Sequence, residues 1–314
     1  MSATPTITVV MPVYNEASHI CENVRRVDAV LNDAGIVHGF VLINDGSSDG
    51  TWGELSRLAT SLSGVTIADL SRNFGKEAAL CAGIGLAQGD AVVTIDADLQ
   101  HPPEVIVEMV RLWREEGFDV VEGVKRDRGK QSAILKLGAA SFYKVFSALT
   151  GLDLNQATDF KLLDRRVVDA WGRLNETNTF FRGMTSWVGY NHCEVPFDVD
   201  DRLQGRSGWS FGKLVTYAVH STASFTSVPL YVISYMGAVF CVLAVALGIE
   251  TLWNKFAGVA VGGFTTVIIL LLIIGGLIMV NLGIIGVYLS KIYEETKARP
   301  RFIISEIKGA GTDE

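Results

Sequence analysis

Up to about residue 125 the chain alternates between short continuous apolar runs and longer stretches in which apolar residues recur at helical spacing. The runs ITVVMP (7–12), FVLIND (40–45), VTIADL (65–70), AVVTID (91–96) and DVVEGV (119–124) read as strands, being short and rich in β-branched residues. Between them, the segment after Tyr14 and the one from Pro103 to Glu116 read as helices, prolines being suited to a first turn. Apolar strands separated by helices predict an α/β fold with a mostly parallel sheet covered on both faces. In such sheets ligands bind beyond the carboxyl ends of the strands, where Asp45, Asp96 and Asp98 fall.

The pattern changes in the last third. No Asp, Glu, Lys or Arg occurs from Ser221 to Ile249, nor from Phe256 to Ser290. Each run contains a segment long enough to cross a bilayer, which takes roughly 20 apolar residues. The expected spans are about Val228–Leu252 and Phe264–Leu289. Gly275, Gly276, Gly283 and Gly286 in the second would suit close helix packing, including contacts between subunits. Lys291, Lys297, Arg299 and Arg301 follow the second span, Arg202, Arg206 and Lys213 precede the first, and the loop between offers only Lys255. The positive-inside rule therefore predicts both ends in the cytoplasm. Two further stretches have an amphipathic pattern. One lies near 131–150, with Leu135, Phe142, Val145, Phe146 and Leu149 on one face; it suits a helix on the globular core as well as one at a membrane surface. The other, Phe211, Leu214, Val215, Ala218 and Val219, stands just before a span and predicts a membrane-surface helix.

Composition agrees with a mixed architecture: 49% of the 314 residues are hydrophobic, and the mean hydropathy is +0.31. The net charge of −7 argues against a nucleic-acid binder. Cys21, Cys81, Cys193 and Cys241 are scattered, with no C-x-x-C pair, so neither a zinc site nor a disulfide framework is predicted. The amino terminus lacks a basic segment and a long apolar core, so no cleaved signal peptide is expected.

The chemistry concentrates in TIDADLQHPPE, where an apolar strand ends in Asp96 and Asp98. On a strand, residues i and i+2 share a face, so the two carboxylates would project together and repel unless a cation lies between them. A dinucleotide fold would need G-x-G-x-x-G directly after the first strand. Here MPVYNEASHI follows and has no glycine, while GIGLAQG (83–89) precedes a strand and reads as helix-end or turn glycines. A P-loop is absent too. Phosphate binding would then fall to a divalent cation held by acids, the usual task of Mg²⁺ or Mn²⁺ beside substrate phosphates. Each acid also has a plainer reading. Glu16 could be a first-turn helix acid, Asp45 with Gly46 a turn, and Asp159 a structural partner of Arg165 or Arg166.

Taken in order, MPVYNEA, NDGSSDGT, SRNFGKEAAL, DADLQHPPE, ATDFKLLDRR and RLQGRSGWSFGKL resemble the family 2 inverting glycosyltransferases of the GT-A fold. More narrowly they are similar to polyprenyl-phosphate glycosyltransferases, the dolichyl-phosphate mannose synthases and bactoprenol glucosyltransferases. The resemblance covers essentially the whole chain. It implies a GT-A (Rossmann-like) domain over 1–208, an interfacial helix at 209–227, a two-helix membrane hairpin at 228–290 and a cytoplasmic tail at 291–314. It implies that Pro12, Tyr14, Glu16 and Asp45 line the base and ribose pocket, with Arg72 and Lys76 near the donor. Asp96, Asp98 and Gln100 would form the D-x-D site for Mg²⁺ or Mn²⁺ and the diphosphate. Asp159 would sit by the reacting sugar, Arg202 and Ser207 would contact donor phosphates, and Arg126 and Arg128 would hold the lipid phosphate. Asn44 stands where the family often has an acid; its amide can still hydrogen-bond a base edge, though nucleotide selectivity is then less defined. Arg206 stands where many relatives are acidic.

The activity so implied is transfer of one sugar, glucose from UDP-glucose, to undecaprenyl or another polyprenyl phosphate at the cytoplasmic membrane face, by a homo-oligomer of the tetrameric kind. GDP-mannose and amino-sugar donors are the alternatives. A processive synthase would need more spans and a Q-x-x-R-W motif, which this chain lacks; an inactive nucleotide-sugar binding protein would not need Asp96, Asp98 and Asp159.

Overall fold

A computed structural model of the chain describes residues 6–126, 147, 158–174, 181–198, 226–258 and 263–309. It divides into two compact units, one of Met1–Gly208 with Arg299–Glu314, the other of Trp209–Ala298.

The first unit is built on one eight-stranded sheet. Its strands are β1 (Ile7–Val13), β2 (His38–Asn44), β3 (Val65–Leu70), β4 (Ala91–Thr94), β5 (Val120–Lys125), β6 (Lys161–Asp164), β7 (His192–Phe197) and β8 (Ile304–Gly309). The spatial order is β7-β5-β6-β4-β1-β2-β3-β8. β1 lies at the centre, parallel to β2 and β4, and β2 is parallel to β3. Antiparallel β6 joins β4 to β5, and β7 runs parallel to β5. The five strands expected from apolar runs are β1 to β5. β6, β7 and β8 carry charged or exposed residues within short segments and give no continuous apolar signal.

Helices cover both faces. α1 (Ile20–Asp33) buries Ile20, Val24, Val27 and Leu31, a 4-3-4 spacing that places all four on one face against the sheet. Each such side chain contributes about 2 kcal/mol of gross burial energy. α2 (Thr51–Ser61) turns Leu55 and Leu58 inward. α3 (Lys76–Leu86) is made of small residues and approaches the sheet closely; a Cβ on Gly83 would collide with Val10 of β1. Gly83 is therefore a packing glycine inside a helix, which corrects its reading as a helix-end or turn residue. α4 (Glu104–Arg111) starts after Pro103 and continues as a π-helical turn to Glu116, as the prolines and the apolar spacing predict. α5 (Arg165–Gly172) is capped by Asp164, whose side chain accepts from the Arg166 amide. α6 (Phe181–Trp187) is the last helix of this unit among the described residues.

The segment expected to be a simple cytoplasmic tail supplies β8. This strand pairs antiparallel with β3, from Thr66 opposite Gly309 to Leu70 opposite Ile304. Ser305 donates to the backbone carbonyl and the carboxylate of Asp69, and Lys308 lies 4.9 Å from the Trp52 ring.

The second unit contains α7 (Val228–Phe256) and α8 (Phe264–Thr296), of 29 and 33 residues. At 1.5 Å per residue these are roughly 44 and 50 Å long, beyond the roughly 30 Å of a bilayer core. The described parts that qualify as spans, Val228–Phe256 and Leu270–Thr296, have mean hydropathies of 2.4 and 2.6 and bury none of their residues. The Tyr288 hydroxyl donates to the Thr226 carbonyl at 2.7 Å, tying the start of α7 to α8. The amphipathic segments near 131–150 and 209–227 lie outside the described residues, apart from isolated positions.

Deleting residues 304–314 would bare the β3 edge and its unpaired backbone groups. Thermal unfolding of the purified protein is expected to show a midpoint lower by about 5 °C or more; an unchanged midpoint would show that β8 is dispensable to the sheet.

Candidate active site

The carboxyl ends of β1, β2 and β4 open into a cavity of about 330 Å³. Pro12, Tyr14, Glu16, Asp45, Lys76, Asp96 and Asp98 line it together with Asn73 and Gly75. Seven residues named from the sequence thus meet in one place.

Asp45, immediately after β2, is only 3% exposed. Its two oxygens accept from the amides of Phe74 and Gly75, at 2.7 and 2.9 Å. Burial pushes its carboxyl up, and these two amides oppose the shift. Gly46 has φ +61°, and a Cβ there would run into the backbone of Arg72 and Asn73. The Asp45-Gly46 turn therefore seats the loop leading to α3, on which Arg72 lies over the Phe74 ring at 4.5 Å. Asn44 does not offer its amide to the cavity. It donates to Asp69 and accepts from Ser47, and it is 2% exposed, which corrects the expectation of a base contact. Asn15, with φ +56°, binds the loop between β2 and α2 through Ser47 and Ser48.

The two aspartates are in a turn, since β4 ends at Thr94. Strand alternation therefore does not explain their common direction. They stand in the turn that follows, which ends at Leu99, a left-handed residue with φ +47°, a conformation that costs a bulky residue about 1–2 kcal/mol. Asn23 of α1 supports it from behind by donating to the Ala97 carbonyl at 2.7 Å. The backbone N–H of Gln100 donates to Asp98 at 3.1 Å, holding that carboxylate. Glu16 is raised above its ordinary value by burial and then by the Asp98 charge. His101 is 7% exposed and packs against Phe160 and Phe197, with ring centroids 5.1 and 5.4 Å away. Burial pushes its imidazole down.

Lys76 links this turn to Asp159. Its ammonium lies 2.6 Å from Asp96 and 2.8 Å from Asp159. Arg182 of α6 binds the same carboxylate bidentately, Nε to Oδ1 at 2.7 Å and Nη2 to Oδ2 at 2.8 Å. Burial opposes ionisation of Asp159, but Arg182 and then Lys76 outweigh it and hold the carboxyl well below the usual carboxylate range. Arg165 and Arg166 do not take part. Arg165 donates to the carbonyls of Ala87 and Gly89, and Arg166 pairs with Asp164 and Asp119. Beneath the cluster Lys161 is fully buried, donating to Thr185 at 2.7 Å with Glu122 3.4 Å away.

Arg182, Glu77 and Lys161 were not singled out from the sequence. Arg182 did leave a trace, being the single Asp, Glu, Lys or Arg between Glu176 and Glu194, among aromatic residues. Arg126 is exposed and forms a loose pair with Asp198 at 3.4 Å, away from the cavity lining. Arg128, Arg202 and Ser207 lie outside the described residues.

For a divalent cation the donors fit in kind. Asp96, Asp98 and Gln100 offer hard oxygens, and Asp96 would share its carboxylate between the cation and the Lys76 ammonium. No group of three His, Cys, Asp or Glu gathers among the described residues, so the site relies on two acids and other oxygens.

The sequence profile described as Glycosyl transferase family 2 matches residues 8–171. An uncharacterized glycosyltransferase of Synechocystis is 39% identical, the match covering 96% of this chain and 96% of that protein. A prophage bactoprenol glucosyl transferase homolog of Escherichia coli and a bactoprenol glucosyl transferase of Shigella phage SfX are each 34% identical, covering 96% of this chain and 99% of theirs.

Asp159→Asn would leave Lys76 and Arg182 facing a neutral amide, at a cost of about 3–5 kcal/mol. Because the folded carboxyl lies below its unfolded value, its contribution is complete above the ordinary carboxylate range and is lost only as pH falls through the lowered value. Thermal unfolding from pH 3 to 6 should therefore give a deficit for the variant that is full near pH 5 and narrows below about pH 4. A deficit that does not narrow between pH 5 and pH 3 would contradict the assignment.

Proposed function

The chain belongs to glycosyl transferase family 2, and from that premise we propose that it transfers one glucose from UDP-glucose to undecaprenyl phosphate at the cytoplasmic face of a membrane. The observation that carries this reading is one cavity joining Tyr14 and Asp45 to the Asp96–Asp98 turn, with Lys76 leading on to Asp159. The acceptor class rests on the relatives called bactoprenol glucosyl transferases, which match over nearly their whole length. Two helices long and apolar enough to cross a bilayer suit an acceptor that cannot leave it. The excess of Lys and Arg flanking them supports cytoplasmic ends and a cytoplasmic transfer site.

In this reading an oxygen of the lipid phosphate forms a bond to the anomeric carbon while the bond to the nucleoside diphosphate breaks, and UDP leaves with the electron pair. In-line attack turns an α-linked donor into a β-linked product. Tyr14, Glu16 and Asp45 hold the base and ribose, and Lys76 and Arg72 lie toward the diphosphate. Asp96, Asp98 and Gln100 would hold Mg²⁺ or Mn²⁺, which when bound supplies positive charge to the leaving diphosphate. Arg202 and Ser207 close on the donor phosphates, and Arg126 and Arg128 receive the acceptor phosphate. The exposed pairing of Arg126 with Asp198 is weak enough to be exchanged for a phosphate.

No protein base is required. A phosphate monoester has its second pKa near about 6, so the nucleophile is mostly dianionic at neutral pH. Asp159 is ill suited to accept a proton, because both its oxygens are engaged by cations. It orients Lys76 and Arg182 instead.

The test is a panel of UDP- and GDP-sugars with undecaprenyl phosphate and Mg²⁺ or Mn²⁺, read by the mass of the lipid product. One hexose added from UDP-glucose is the expected result, with Asp98→Ala slower by about 100-fold or more. A product from GDP-mannose or an amino sugar would correct the donor. A polymer, or no lipid product with any donor, would overturn the reading.

A further inference from the structure

Glu77 follows Lys76 in the first turn of α3, yet the transfer chemistry makes no use of it. Its Oε2 accepts from the Phe181 amide at 2.8 Å, across 104 residues of sequence. Phe181 begins α6 and is fully buried, its ring 6.2 Å from that of Trp171 in an edge contact. The next residue, Arg182, grips Asp159 with two hydrogen bonds, and one turn later Thr185 accepts from buried Lys161. A seven-residue helix has little stability of its own. Its direction is therefore set by these three polar ties, from α3, from Asp159 and from β6.

We propose that Glu77 is a positioning residue, its carboxyl capping the Phe181 amide and so fixing the turn that aims Arg182 at Asp159. Its importance for transfer rests on the placing of Asp159 in the reading above; its hold on α6 does not.

The same geometry makes the tie sensitive to pH. Burial is the main influence on Glu77 and raises its carboxyl to about 7. The Phe181 amide opposes that shift, Asp159 adds to it, and Arg182 and Lys76 oppose it. These are the charged groups that face it from α3, α6 and the strand end before β6. When α6 opens, Glu77 meets water and its ordinary, lower value returns, so opening releases a proton. Closure is then most favoured below the ordinary carboxylate range and weakens as pH rises through about 7.

Hydrogen exchange of the Phe181–Trp187 amides, corrected for intrinsic rates and measured on the full chain from pH 5 to 8, tests this. In the wild type, protection should fall by about tenfold or more across the range. In Glu77→Gln, which keeps an acceptor oxygen but cannot ionise, protection should be flat with pH. In Glu77→Ala it should be lower at pH 5 by about fivefold or more, the usual effect of a lost cap. Turnover should follow: Glu77→Ala lowers kcat, leaves donor affinity within about twofold, and is rescued by Gln. Wild-type protection in Glu77→Ala, a wild-type pH dependence in Glu77→Gln, or a Gln variant as damaged as Ala would each overturn the proposal. If no donor and acceptor pair supports turnover in the wild type, the functional reading fails while the exchange result still decides the role of Glu77.

Discussion

Everything at the cavity depends on how one buried carboxylate is neutralised. Asp159 is 7% exposed and could not be left as an isolated anion, since burial of an unpaired charge is prohibitive. The fold meets this with Lys76 from the first turn of α3 and Arg182 from α6. Because Lys76 also reaches Asp96, the pairing extends to the D-x-D turn. Four charges from four separate segments therefore constrain one another, and each element's position becomes a condition for the others. Such a network is weak evidence for net stability but strong evidence for a fixed geometry.

This arrangement bears on the chemistry. A carboxylate doubly clamped by cations is a poor base and a good anchor. A phosphate nucleophile, unlike a sugar hydroxyl, arrives largely deprotonated and asks for positive charge. The proposed acceptor and the observed electrostatics are compatible for that reason, and the family relationship does not by itself supply that link.

The parts of the structure readable from the sequence were those whose physical cause is local. β1 to β5 show as apolar runs because most of their side chains are buried in the sheet's core, and α7 and α8 show as long apolar segments whose charges are confined to their C-terminal ends. The Pro102-Pro103 pair marked the start of α4 because proline needs no helical hydrogen bond there. What remained hidden depends on distant pairing. β8 is short and mostly exposed, and joins the sheet only by lying along β3. Arg182 and Glu77 gain their meaning from partners 23 and 104 residues away. Asp96 and Asp98 both line the cavity, but from a turn beyond the end of β4 and not from the strand itself, which strand alternation does not describe. His101 is enclosed by Phe160 and Phe197, both distant in sequence.

The central claim is that the acceptor, not a protein carboxylate, supplies the ionised nucleophile while Asp159 stays clamped. The most direct measurement is the pH dependence of kcat for the wild type with a polyprenyl phosphate and with a phosphonate analogue of higher second pKa. The account predicts an acidic limb that moves upward with the acceptor's own ionisation. A limb that stays in place when the acceptor is changed would assign the ionisation to the protein and contradict it.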